Sequence, residues 1–360
     1  MAHDEELLGV AEKFLREEVA PNSAEMDLHP ESLRHALTGL CSRELMALRR
    51  PAEYGGPAVA EPTFRRFQEQ VARYSGALAF LQTQHQSAVS MLARSDNEQL
   101  KDAYLPKMAN GEKLVGIGFS QLRRKGDPIM KAEPLDGGYV LDGQVPWITG
   151  WSFYPEFLVG ATLPNGEAVF GILPLSHSEK AGQKITLSEP MRLAAMESAM
   201  TVSAEITNWH MPSELVAFVK PAGWIQNNDL INITLQGHFA LGCARGALDI
   251  LQQAGEKKGL PFVREAFEKL SAELQACHEA TTTAQATPDE ESTTERLNIR
   301  AWAIDLSVRC AHAAVTASSG AANSIHHPAQ RVYREALVYT VSAQTTAIME
   351  ATLKRIVSRA

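Results

Sequence analysis

The side chains able to do chemistry stand in a few short stretches of the chain. Trp147-Ile148-Thr149 closes a hairpin that opens on the turn Asp136-Gly137-Gly138 and runs through Tyr139, Val140 and Leu141. It sets a large aromatic two residues before a hydroxyl. Taken by itself, Trp147 reads as a cap on a β core, since tryptophan commonly serves packing. Arg123-Arg124-Lys125 places three cations in succession; such a run can hold a phosphate by charge or form a solvated loop. His238 lies in an otherwise apolar helical stretch. An imidazole can act as a base near neutral pH, and a lone His on such a face is also an ordinary core residue. His326-His327-Pro328 is a tight turn, and no metal is expected there, because adjacent histidines rarely point at one ion without a third ligand. Cys41, Cys243, Cys277 and Cys310 show no C-x-x-C spacing and read as reduced core residues.

The elements that must position these groups follow from hydrophobic period. From Glu5 to about Glu112 the pattern is helical, with Leu7, Leu8, Ala11, Phe14, Leu15 and Val19 recurring at three and four and Pro21 expected to stop the first helix. From Val115 short β-branched runs, glycines and prolines take over, and Pro164-Asn165-Gly166-Glu167 joins two strands. After Trp224 the helical period returns, with Thr281 to Glu295 read as a loop between helices and Arg334 to Ile356 as one helix with a mostly apolar face. The expected units are an N-terminal α-helical domain (1–114), a central β domain (115–220) and a C-terminal α-helical bundle (221–360), an α+β multidomain fold. Neither alternating strand–helix units nor a G-x-G-x-x-G after a strand is present, which excludes a doubly wound nucleotide-binding sheet.

Composition narrows the partners. A net charge of -8 with 45% hydrophobic and 21% charged residues argues against nucleic acid, which calls for a basic excess. No run of eighteen apolar residues and no signal-peptide core is found, so a cytoplasmic protein off the membrane is expected.

Several stretches, in order, carry a resemblance to the acyl-CoA dehydrogenases over nearly the whole chain. They are Phe14 to Pro21, Arg50 to Pro57, Tyr104 to Lys113, the hairpin ending in Trp147-Ile148-Thr149, Ile206 to Val216, and the Gly237-to-Asp249 helix. The resemblance implies a helical domain, a central β-barrel-like domain and a C-terminal four-helix bundle around a non-covalent FAD. Subunits would pair through the bundles as a homodimer or homotetramer. It also implies that Trp147 and Thr149 lie against the flavin ring, which suits an indole that can shield the ring from water and a hydroxyl that can hydrogen-bond it. Ile117, Phe119 and Ser120 match the strand that meets the flavin, with Ser120 where Thr is usual, and Thr345 completes the cofactor set. Gly126 and Asp127 match the end of the loop near the thioester substrate.

The chain also departs from the pattern. The family's Phe-Gly-Arg-Pro-Ile segment is replaced by Gly259-Leu260-Pro261-Phe262, and its glycine-rich counterpart by Ser318 to Asn323, which weakens the implied cross-subunit grip on FAD. The family places its catalytic Glu at Ala343, or in some branches at Asn232, and neither residue can accept the α-proton of a thioester. His238 is the remaining nearby candidate, and the catalytic residue is otherwise unassigned. Three readings follow. The first is a FAD-dependent oxidoreductase acting on an acyl thioester or related small substrate with a displaced base. The second is a flavin-dependent monooxygenase on the same fold. The third is a non-catalytic scaffold that binds acyl-CoA or flavin.

Overall fold

A computed structural model describes residues 2–286 and 291–358. The N-terminal part consists of α1 (Ala2–Phe14), α2 (Ser23–Leu28), α3 (Pro30–Cys41), α4 (Glu61–Tyr74), α5 (Gly76–Leu92) and α6 (Glu98–Tyr104). Pro21 does not stop the first helix outright. The helix widens into a π turn over Leu15–Val19 and passes through a 3-10 turn at Ala20–Asn22 into α2. There Pro21 stands in a first turn, where its missing N–H costs nothing. Leu33, Leu37 and Leu40 of α3 and Phe64, Phe67 and Val71 of α4 recur at helical spacing and are buried.

Nine strands follow: β1 (Val115–Gly118), β2 (Met130–Leu135), β3 (Gly138–Ile148), β4 (Glu156–Thr162), β5 (Ala168–Pro174), β6 (Ser178–Lys180), β7 (Gln183–Leu187), β8 (Val202–Pro212) and β9 (Val216–Lys220). They form one mixed sheet in the order β6-β7-β8-β3-β2-β4-β5-β9, with β1 parallel to β4. Both expected hairpins form, β2–β3 through Asp136-Gly137 and β4–β5 through the turn containing Gly166, whose φ of 86° suits glycine.

The C-terminal part holds α7 (Trp224–Ile231), α8 (Gly237–Lys258), α9 (Pro261–Ala286), α10 (Thr293–Ser318), α11 (Pro328–Val341) and α12 (Thr346–Val357). Two expectations change here. The polar stretch from Thr281 largely joins helices: Thr281 to Ala286 complete α9, Thr293 to Glu295 start α10, and residues 287–290 lie outside the described residues. Arg334 to Ile356 is two helices rather than one. Ser342 turns extended, Ala343 takes a φ of 48°, and the Thr345 hydroxyl caps α12 by accepting from the Ile348 N–H at 3.3 Å. Apolar spacing continues across the break, so period alone cannot see it, whereas the cap can stop and restart a helix.

The helical parts meet closely. A Cβ on Gly242 or Gly246 of α8 would collide with the carbonyl oxygens of Glu69 and Arg73 on α4, so the two helices cross at backbone contact. Among the described residues, no helix is long and apolar enough to cross a membrane.

Candidate functional site

The sheet makes Trp147 available. On β3, Val145 pairs with Ala204 while Ile148 pairs with Val202, so three steps on β3 oppose two on β8. This is a bulge at Pro146-Trp147, and proline there has no N–H to give to the ladder. Strict alternation from buried Val145 would turn Trp147 inward. The extra residue turns it outward and returns Ile148 to the core. Trp147 is 52% exposed, which overturns its reading as a core cap. Thr149, two residues on, is buried with its hydroxyl 3.0 Å from that of Thr201.

Beside β3, the strand β1 runs into a 3-10 turn at Ser120–Arg123. Ser120 is partly exposed, yet its Oγ is enclosed without a hydrogen-bond partner among the described residues. A serine hydroxyl turns freely about one bond, so this atom can be swung toward a ligand. Ile117 and Phe119 are partly buried, and the Phe119 ring stands edge-on to Phe170 at 5.6 Å. Of the three successive cations, Arg123 grips Asp229 of α7 with two bonds, 2.7 Å and 2.8 Å. Its charge is committed to joining the sheet to the bundle, which leaves Arg124 and Lys125 exposed. Gly126 and Asp127 are exposed in the loop beyond.

Two successive turns of α10 reach the segments that hold Asn232 and Ala343. Arg296 donates to the carbonyl of Leu230 at 2.7 Å, beside Asn232; Arg300 donates to the carbonyl of Ser342 at 3.2 Å, beside Ala343. Asn232 donates to Asn228, at 2.8 Å to its carbonyl oxygen. Ala343 is exposed, and the hydroxyl of Thr345 serves the cap of α12. Arg300 is enclosed with Nε and Nη1 unpartnered among the described residues, and burial lowers its pKa to about 9. Glu350, past the break, is exposed and pairs with Lys354 at 2.6 Å, away from any proton-transfer role.

His238 is directed elsewhere. On the first turn of α8, buried, its Nδ1 is 3.4 Å from Glu69 Oε2 on α4, and the same oxygen is 2.9 Å from Nδ1 of His278 on α9. Arg245 donates to Glu69 Oε1 at 2.8 Å. Burial pushes the Glu69 carboxyl up, but hydrogen bonds from His238, His278 and Arg245 outweigh it and hold the group well below the usual carboxylate range. Burial likewise lowers the pKa of His238, against the pull of Glu69. Glu69, His278 and Arg245 carry no sequence motif. The available signal was the Gly242/Gly246 spacing, which announces a close helix crossing without naming the partner.

Residues 1–112 match the family model described as acyl-CoA dehydrogenase, N-terminal domain. The mitochondrial isovaleryl-CoA dehydrogenase of Pongo abelii is 31% identical over 143 residues, covering 38% of this chain and 34% of that protein. Its counterpart from Arabidopsis thaliana is 24% identical over 262 residues, 70% of this chain and 62% of that one. The matched stretch thus spans about a third of the first relative's length and under two thirds of the second's. A glutaryl-coenzyme A dehydrogenase solved with glutaryl-CoA superposes with a TM-score of 0.82 at 18% identity, covering 100% of this chain and 96% of that one. An acyl-CoA dehydrogenase of Bacillus anthracis solved with FAD gives 0.79 at 19% identity, covering 100% and 67%. At these identities the likeness is one of fold.

Proposed function

We propose that the chain belongs to the acyl-CoA dehydrogenase family, which the match of residues 1–112 and the curated relatives support, and that it is a FAD-binding flavoprotein oxidoreductase. Its substrate is an acyl thioester or a related small molecule. The observation that carries this is the β3 bulge, which turns Trp147 outward next to the turn where the Ser120 hydroxyl stands unpartnered. The donor set suits the cofactor. Trp147 offers an apolar face for the ring, Ser120 a hydroxyl for its polar edge, Thr149 a fixed hydroxyl behind, and Ile117, Phe119 and Thr345 the remaining wall. Bound there, FAD would accept a hydride from the β-carbon of a saturated acyl group.

The chain's own residues would account for orientation of the ring, and Gly126 and Asp127 of the exposed loop are assigned to the thioester end. They account less well for the proton. Ala343 has no acceptor atom, and the Asn232 amide is bonded to Asn228. His238 is held at Glu69, so we do not assign it the base. The missing carboxylate favours a second reading, in which the retained fold runs oxygen-dependent flavin chemistry or only binds its ligand. In the former the hydroxyl of Ser342 would serve, yet it donates to the Val338 carbonyl at 3.0 Å. We keep the units at 1–114, 115–220 and 221–360, the subunit pairing through the bundle, and the cytoplasm as its place.

The test is the visible absorption spectrum of the purified protein, before and after adding FAD and desalting. A retained flavin band with a perturbed shape is expected. A folded protein that stays colourless overturns the cofactor assignment and leaves the non-catalytic reading.

A further inference from the structure

We propose that Glu69, His238 and His278 form a binding site for one zinc-class divalent cation, joining the N-terminal helices to the C-terminal bundle. Each of the three offers one ligand atom, and these atoms all lie within 4.8 Å of one another. Glu69 Oε2 is 3.4 Å from Nδ1 of His238 and 2.9 Å from Nδ1 of His278. In a tetrahedral site with metal–ligand bonds of about 2.0–2.1 Å, neighbouring ligand atoms stand roughly 3.3 Å apart. The two carboxylate–imidazole spacings bracket that value, and the third pair stays within 4.8 Å, so side-chain rotation has to close the set on the ion.

The chemistry of the set selects the metal. Two imidazoles and one carboxylate suit zinc or cobalt, whereas calcium and magnesium call for oxygen ligands. Histidine must be neutral to ligate, so loading of the site depends on pH. Glu69 Oε1 is held by Arg245 at 2.8 Å, which orients the carboxylate and leaves Oε2 as the ligand atom, the usual arrangement around a metal-bound carboxylate.

A cavity of about 290 Å³ adjoins two of the three ligands, Glu69 and His278, and is lined also by Arg66, Arg73 and Arg245. Arg73 is paired with Asp249 at 2.7 Å and Arg66 with Glu5. Arg245 has Glu69 as its carboxylate partner. A dication added to this set raises the local positive charge, so hydroxide or a small anion is the fitting fourth ligand. Three helices supply the ligands, Glu69 from α4, His238 from α8 and His278 from α9, so the ion would restrain the crossing that Gly242 and Gly246 permit.

The full-length protein, stripped with a chelator, is loaded with zinc alone, desalted and assayed for bound metal, then loaded with cobalt for its visible spectrum. One equivalent of zinc is expected, with the intense bands of tetrahedral cobalt and a higher melting temperature. His278→Gln, a change at a partly exposed position, should abolish the cobalt bands and lower zinc affinity at least a hundredfold. Equal zinc retention by wild type and His278→Gln, or a weak octahedral cobalt spectrum, overturns the site. If His278→Gln fails to fold, the wild-type cobalt spectrum decides by itself. None of these readouts requires flavin, so the site stands or falls separately from the cofactor assignment.

Discussion

Arg331 and Arg300 are both enclosed in the C-terminal bundle, and they are treated in opposite ways. Arg331 donates to Glu335 at 2.6 Å, and Glu335 in turn accepts from the Gly76 backbone N–H at 2.9 Å, at the start of α5. Nearby, Arg334 pairs with Asp27, whose other oxygen accepts from the Met196 N–H at 2.8 Å. Carboxylates from two of the three units thus bind the helical parts to each other and to the segment before β8. Among the described residues Arg300 meets no carboxylate and gives one bond to a carbonyl beside Ala343. A buried charge without a partner is costly, so such a site persists only where something other than stability has shaped it. The frame is fastened by paired charge, and the turn at Ser342-Ala343 is left open.

The largest effect should come from filling that turn. Ala343→Glu places a carboxylate at a φ already borne by a residue with a Cβ, so it adds no new backbone strain. A positioned base contributes roughly 10²–10⁴ in rate, and FAD-loaded Ala343→Glu should dehydrogenate an acyl-CoA faster than wild type by about that factor. A flavin-loaded variant inert toward short, branched and long acyl-CoAs would sink the idea that ring and thioester still meet here.

The fastened side is tested by removing a partner. Glu335→Ala leaves Arg331 buried without its carboxylate, which costs about 3–5 kcal/mol. Chemical denaturation reads this directly. A loss below about 1 kcal/mol would mean that the seam is not what holds the units together.

Acid attacks the frame at a different point. His85 accepts from the Val115 N–H through Nδ1 at 2.9 Å and reaches the Met108 carbonyl through Nε2 at 2.9 Å, an arrangement that uses the neutral ring. Burial lowers its pKa from 6.5 to about 4. A depressed histidine stabilises the fold fully above the unfolded value. That stability is lost as pH falls from about 6.5 through 4, for a total of roughly 3 kcal/mol. Melting temperature should decline over this window in wild type and decline less in His85→Gln, and parallel curves would exclude His85 as the cause.

How much was legible in the sequence differs between the same two regions. The hairpin turns, the strand-rich middle and most helices follow from period and turn chemistry, which are local. The positions proposed for the base, Ala343 and Asn232, rest on the resemblance, which is carried by motif order. The bulge at Pro146-Trp147 was not foreseen, since it depends on register against β8, although Pro146 was a visible hint. The break at Ser342-Ala343 was hidden by apolar spacing that runs across it. The Glu69 cluster joins residues 169 and 209 positions apart, and no local pattern reports such a meeting.

Trp147→Ala should act on the open region alone. Because the indole is about half exposed, its loss should leave the melting temperature of the flavin-free protein within about a degree. Its stacking is worth about 0.5–1.5 kcal/mol, so FAD affinity should fall about two- to tenfold by titration. Unchanged affinity would remove Trp147 from the ring site.

Thr345 separates the two roles most finely. Its hydroxyl caps α12, so Thr345→Ala should cost about 1 kcal/mol of stability, and Thr345→Ser, which keeps the hydroxyl, should recover most of it. If the same hydroxyl also faced the flavin, Thr345→Ala would weaken FAD binding as well and Thr345→Ser would restore both. A stability loss with unaltered FAD affinity would place Thr345 with the frame, and would narrow the ring site to the Ser120 turn and the end of β3.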